Sequence, residues 1–81
     1  FSSWIVVEFD SADRTIVNKS LERLENKNAK VMKYSVEAGR WGYDTLIANI
    51  LVKDVAHLTS VMENLMGMKG VQNVKRYGGV S

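Results

Sequence analysis

The chain has no cysteine and a single histidine in 81 residues. Without thiols there is neither a disulfide framework nor a thiolate metal site, and one imidazole cannot build a zinc centre. No metal or cofactor is therefore expected. The charge is balanced as well: eleven basic and nine acidic residues are mixed along the chain, and no run of like sign exceeds the pair Lys75 and Arg76. A nucleic-acid face needs clustered basic residues, so the net charge of +2 does not establish one, and no nucleic-acid partner is expected. No apolar run approaches the roughly 18 residues that cross a bilayer, and no signal-peptide pattern opens the chain. The expected setting is cytoplasmic, with no membrane contact by this segment. Because the first residue is Phe1 and not methionine, residues 1–81 are expected to be a single domain cut from a longer protein.

A domain of this length hides only about 60 to 65% of the surface its unfolded chain exposes. Such a thin core fits one sheet under one layer of helices, which leaves the second sheet face for solvent, a ligand or another chain.

The clearest pattern lies in the second half. Leu46, Ala48, Ile50 and Val52 alternate with Thr45, Ile47, Asn49 and Leu51, so a strand here puts one aliphatic row on the covered face. Asp54 is a good N-cap for the stripe of Leu58, Val61, Met62 and Leu65. Gly67 and Gly70 break that helix, and Val71 and Val74 begin a last short strand. In the first half Trp4 to Phe9 reads as a strand with Ile5, Val7 and Phe9 on one face and Trp4, Val6 and Glu8 on the other. Apolar groups on both faces mark a central strand. The loop after it offers Asp10, Ser11 and Asp13 as caps, and Val17, Leu21 and Leu24 give a stripe for a helix from about Asp13 to Lys27. From Val31 to Ala38, Met32, Tyr34 and Val36 alternate with Lys33, Ser35 and Glu37, as in an edge strand guarded by charge. Gly39, Arg40, Trp41 and Gly42 supply the turn into the next strand.

The two halves echo each other. A shift of 44 residues lays Val7 on Leu51, Asp10 on Asp54, Ala12 on Ala56, Val17 on Val61 and Leu21 on Leu65. Two copies of strand, helix, strand with right-handed crossovers give an α+β fold: a ferredoxin-like βαββαβ sandwich, its four-stranded antiparallel sheet in the order 4-1-3-2, with both helices on one face. Val17, Leu21, Leu24, Leu58, Met62 and Leu65 then cover that face. The echo conflicts with the aliphatic row at one place, since matching Leu51 to Val7 would turn Leu51 toward the helices.

No set of residues looks catalytic. His57 falls on the first turn of the second helix, where a solvated or capping role is expected. Gly67 to Gly70 is too short for a phosphate loop and leads into a strand. The third strand lacks the aromatics on which an RNA-recognition domain stacks bases, and the first loop lacks the paired cysteines of a metal carrier. Of the four methionines, Met62, Met66 and Met68 lie at the second helix and its exit, where they are expected to fill core gaps. Trp41 is expected either to meet another chain or to fold back over the sheet. Trp4, Val6, Ile47 and Leu51 fall on the face the helices leave open, which makes them the expected face of a homodimer.

The segment from Ile5 to Arg14, together with Val52 to Arg76, resembles the ACT domain family over nearly the whole chain. The likeness is nearest to the C-terminal ACT domain of the stringent-response (p)ppGpp synthetase/hydrolase family: Asp13 and Arg14 match the pair that opens its first helix, and Gly70, Val71, Val74 and Arg76 match its last strand. The resemblance implies a non-catalytic regulatory domain that dimerises, senses a small ligand such as an amino acid, and controls an attached enzyme. The loop residues Asp10, Ser11, Asp13, Arg14 and Thr15 are the expected ligand site: the helix N-terminus suits a carboxylate, and Asp10 and Asp13 suit an ammonium. The plainer alternative is that these residues only cap the helix. One departure favours it, because amino-acid-binding ACT domains commonly have a glycine two residues after that arginine, and Ile16 stands there. The chain also resembles the C-terminal domain of MgtC/SapB-type bacterial membrane proteins, which has an ACT-like fold. A purely structural dimerisation module fits the residues too.

Overall fold

The computed structural model describes residues 1–77; the single-domain expectation also covers 78–81, which lie outside the described residues. The elements are β1 (Ser2–Asp10), α1 (Thr15–Asn26), β2 (Lys30–Ala38), β3 (Tyr43–Leu51), α2 (Val55–Met66) and β4 (Val71–Arg76). All neighbouring strands are antiparallel, in the order β2-β3-β1-β4, which is the expected order read from the other edge. This is the ferredoxin-like βαββαβ arrangement.

Alternation decides the two central strands. Ile5, Val7 and Phe9 of β1 and Leu46, Ala48 and Ile50 of β3 are buried, with Leu24, Leu58, Val61 and Leu65 of the helices in the same core. The aliphatic row of β3 is thus the covered one, and the conflict over Leu51 resolves toward the open face, where its side chain is 42% exposed. Asp54 caps α2 as expected, its carboxylate accepting from the N–H of His57 at 2.8 Å.

Four expectations need correction. The buried column of α1 is Ile16, Ser20 and Leu24, while Val17 and Leu21 are only partly buried beside it. The helix starts at Thr15 and turns its i, i+4 column to the sheet, and a small serine at its centre allows close approach. The Ser20 hydroxyl is fully buried without a hydrogen-bond partner.

Second, β2 is an edge strand, but its charged residues do not face an inner dry row: Met32, Tyr34 and Val36 are about half exposed, and a bulge lies between Val31 and Lys33. Third, His57 is neither a free nor a simple capping side chain. Its Nδ1 accepts from the Lys53 N–H at 2.9 Å, and its Nε2 lies 2.6 Å from the Lys27 carbonyl oxygen, a pair satisfied when Nε2 carries the proton. The ring therefore ties the end of α1 to the approach to α2. Fourth, Trp41 does not fold back over the sheet, and among the methionines Met68 is buried and Met62 partly so, whereas Met66 stays exposed.

Candidate functional site

Two regions come from the sequence as candidates. The first is the β1 to α1 loop. Asp10 donates its N–H to the Gly70 carbonyl at 2.9 Å, and Ser11 donates both its N–H and its hydroxyl to the Gly42 carbonyl, at 2.9 and 3.0 Å. The loop is thus tied on one side to the approach to β4 and on the other to the hairpin. Asp10 Oδ1 accepts from the Ala12 N–H at 2.9 Å, and Asp13 Oδ1 accepts from the Thr15 N–H at 3.0 Å and from the Thr15 hydroxyl at 2.5 Å. The N-cap position is Arg14, whose side chain makes no cap bond, so Asp13 secures the helix start from one residue earlier. The amides of Asp10 to Asp13 and of Thr15 and Ile16 are all engaged within the protein. A ligand carboxylate bound to one of these six amides would have to displace its bond.

Electrostatics at the loop are local. The Thr15 hydroxyl, then the Thr15 N–H, hold the exposed Asp13 carboxyl below its ordinary value of 3.8, with Lys19 and Lys69 adding in the same direction. A lowered folded-state value means the charged form is favoured by folding, so this contribution is present above 3.8 and is lost as the pH falls through the folded value. Following the Asp13 carboxyl by NMR should give a midpoint below 3.8, and Thr15→Val should bring it back up. A midpoint indifferent to Thr15→Val would mean that the hydroxyl bond is not formed.

The second region is the open sheet face. Cross-strand pairing sets Lys33, Asn49 and Trp4 in one row, Ser35, Ile47, Val6 and Lys75 in the next, and Glu37, Thr45, Glu8 and Asn73 in a third. Leu51 lies at the end of the face, opposite Ser2 and Lys30. Val6 is buried by its neighbours, and Trp4 and Ile47 are half-buried. Val6 and Ile47 line a shallow depression of about 540 Å³ together with Glu8, Glu37, Thr45 and Lys75. The Lys33 ammonium lies 5.6 Å from the centre of the Trp4 ring, and Lys75 pairs with Glu8 at 4.0 Å. All four expected dimer-face residues therefore share one surface, an apolar floor inside a charged rim.

With this topology on view, the family comparison is decisive: the ACT domain model matches residues 4–76. The chain belongs to the ACT domain family. An ACT domain is a regulatory module and not a catalytic one. Among solved structures, the ACT domain from GTP pyrophosphokinase of Chlorobium tepidum superposes with a TM-score of 0.78 at 21% identity, covering 94% of this chain and 96% of that one. The C-terminal domain of the MgtC protein from Mycobacterium tuberculosis follows at 0.77 and 20%, covering 96% and 86%. Within a larger enzyme, homoserine dehydrogenase from Thiobacillus denitrificans, the match is 0.69 at 8% identity and covers 94% of this chain and 17% of that one. These likenesses are likenesses of fold. No curated protein matches the chain.

Placed in this ACT domain, Ile16 explains its departure from the glycine pattern. It is buried, and its Cδ1 occupies the space above Gly70 that a side chain there would need. The sequence could not show this contact, because it joins the first turn of α1 to the loop before β4, in different halves of the chain. Nor did it show the roles of Gly42 and Gly70 as acceptors for the loop. Among the described residues no helix is long and apolar enough to cross a membrane.

Proposed function

We propose that this ACT domain pairs with a second copy through the open sheet face, with Trp4, Val6, Ile47 and Leu51 at the contact, and that pairing controls an attached enzyme. The observation that carries this is the apolar floor on the face opposite both helices, which none of the described elements covers. In the same reading the loop residues Asp10, Ser11, Asp13, Arg14 and Thr15 take an amino acid at the start of α1. The attached enzyme is of the (p)ppGpp synthetase/hydrolase kind, supported by the name of the Chlorobium tepidum neighbour, and a cysteine-free chain suits a reducing, cytoplasmic compartment.

A second reading is a pairing module with no small ligand. The engaged loop amides and the buried Ile16 favour it.

Sedimentation velocity tests the pairing. The chain should be a dimer at tens of micromolar, and Ile47→Lys, which sets a charge in the middle of the apolar floor, should make it a monomer without unfolding it. A monomeric parent chain at high micromolar concentration, or an unaffected dimer in Ile47→Lys, would overturn the proposed face. Titration with the free amino acids, followed by amide shifts, decides between sensor and module. Shifts confined to residues 10–16 support the sensor, and a silent loop leaves the module.

A further inference from the structure

The fold gathers three lysines that the sequence keeps apart. Lys27 follows α1, Lys30 opens β2 and Lys53 lies in the link from β3 to α2, and all three line one open depression of about 880 Å³. The other four lysines of the chain are matched: Lys75 pairs with Glu8, Lys33 lies over the Trp4 ring, and Lys19 and Lys69 act on the Asp13 carboxyl. Among the described residues, Lys27, Lys30 and Lys53 form no ion pair. Asp54 is the one acid on the depression, and its Oδ1 is already engaged by the His57 N–H at 2.8 Å. An excess of positive charge equal to the +2 of the entire chain is thus held at one end of the molecule. Asn26, Asn28 and Ser60 also line the depression and add two amides and a hydroxyl that can donate.

The backbone that carries these groups is fixed. After α1 the Asn28 N–H donates to the Glu25 carbonyl and the Ala29 N–H to the Leu24 carbonyl, both at 2.9 Å, with Asn28 itself at φ 63°. Lys30 is paired with Leu51, two residues before Lys53. His57 closes the arrangement: its Nε2 lies 2.6 Å from the Lys27 carbonyl oxygen and its Nδ1 accepts from the Lys53 N–H at 2.9 Å, so a single imidazole sets the spacing of two lysine-bearing segments. Only the ammonium arms are left to order when a ligand arrives.

We infer that this depression binds the polyphosphate group of a small molecule. Lysine ammoniums are compact point charges suited to phosphoryl oxygens, and three of them arriving from three segments match an anion that spreads several negative charges over adjacent phosphates. A lone carboxylate has too little charge to engage them all. The lysines are gathered at one end and do not form the stripe that a nucleic-acid backbone follows. The 44-residue echo lays Asp10 on Asp54 and Asp13 on His57, so the depression is the second-half counterpart of the β1 to α1 loop, with the acid of the first copy replaced by an imidazole that joins basic segments. The inference does not depend on pairing or on an amino-acid ligand: the depression meets the open face only at Leu51 and shares no residue with the loop.

Titration of the parent chain with sodium tripolyphosphate at low salt, followed residue by residue through amide shifts, tests it. The shifts should centre on residues 26–30, 51–57 and 60. Tripolyphosphate should bind about ten-fold or more tighter than inorganic phosphate, and added salt should weaken it, since exposed charges are screened. Lys27→Gln, Lys30→Gln and Lys53→Gln should each weaken binding by roughly three- to ten-fold, and the triple variant should lose it, while all four melt like the parent because these side chains are exposed. Lys19→Gln with Lys69→Gln, which removes positive charge from the other end, should bind like the parent. The site is overturned if tripolyphosphate moves no amide, if it moves the lysine segments of both ends alike, or if it binds the triple variant as it binds the parent. A short single-stranded DNA that moves the same amides at lower concentration would reassign the depression to nucleic acid and overturn it as well. Because binding is read at individual residues, the result holds whether the parent is a monomer or a dimer, and its failure is separate from failure of the pairing.

Discussion

Ile50→Ala is expected to lower the stability of this domain by about 2 to 5 kcal/mol. Ile50 is fully buried on β3, flanked by Ser3 of β1 and Val31 of β2, and its side chain lies under the helices in the middle of the core. Truncation leaves a void that a four-stranded sheet fixed on both sides of β3 closes poorly, so a cavity cost adds to the lost transfer energy. A domain of this size holds a total on the order of 5 to 15 kcal/mol, so the variant should lose a large share of its stability. The adjacent Leu51 supplies the control. It belongs to the open face and is partly exposed, so Leu51→Ala should cost well under half as much in a monomer. Urea denaturation midpoints, with the slope unchanged, give both numbers. Equal losses at the two positions would mean that the strand phase is not the one described.

That contrast also marks where the sequence was legible. In β1 and β3 the covered face is apolar except at Ser3, so a period of two is enough to place Ile5, Val7, Leu46, Ala48 and Ile50 and, by exclusion, Trp4, Val6, Ile47 and Leu51. The stripe of α2 reads equally well, with Asp54 to begin it. In α1 the rule fails for a physical reason: the centre of the buried face is Ser20, which is polar by type and admitted because it is small, so a search for large apolar residues settles on Val17 and Leu21 instead. On β2 the alternation is real, but no helix covers its dry row, so pattern and burial part company at Tyr34 and Val36. In the loop the capping chemistry of Asp10 and Asp13 could be seen. Its anchorage could not, since the acceptors are the carbonyls of Gly42 and Gly70, and a backbone carbonyl has no sequence signature. His57 is a similar case, with a ring bound to two backbone groups of other segments.

The contact between Gly70 and Ile16 gives the second large effect. Gly70 sits at φ 91°, outside the region open to residues with a Cβ, so Gly70→Ala carries backbone strain of about 1 to 2 kcal/mol before any contact is counted. Its new methyl would lie 2.5 Å from Ile16 Cδ1 and 3.6 Å from Ile16 Cγ1. Ile16 is buried and cannot swing into water, and Gly70 cannot retreat without stretching the bond its carbonyl accepts from the Asp10 N–H. With overpacking added, Gly70→Ala should destabilise by about 2 to 4 kcal/mol. Ile16→Val alone, which removes Cδ1, should cost about 0.5 to 1.5 kcal/mol. Together they should cost less than the sum by about 1 kcal/mol or more, because the added methyl enters space the valine has vacated; what remains is the backbone strain. Denaturation of the four chains closes the cycle, and additivity within about 0.5 kcal/mol would mean that the two residues do not share this space. The cycle also reaches the candidate ligand site. Ile16 and Gly70 fill the floor beneath the Asp10 to Thr15 loop with protein atoms, so if that loop receives an amino acid, Ile16→Val should change the shifts the ligand induces; identical responses would place any ligand away from this floor.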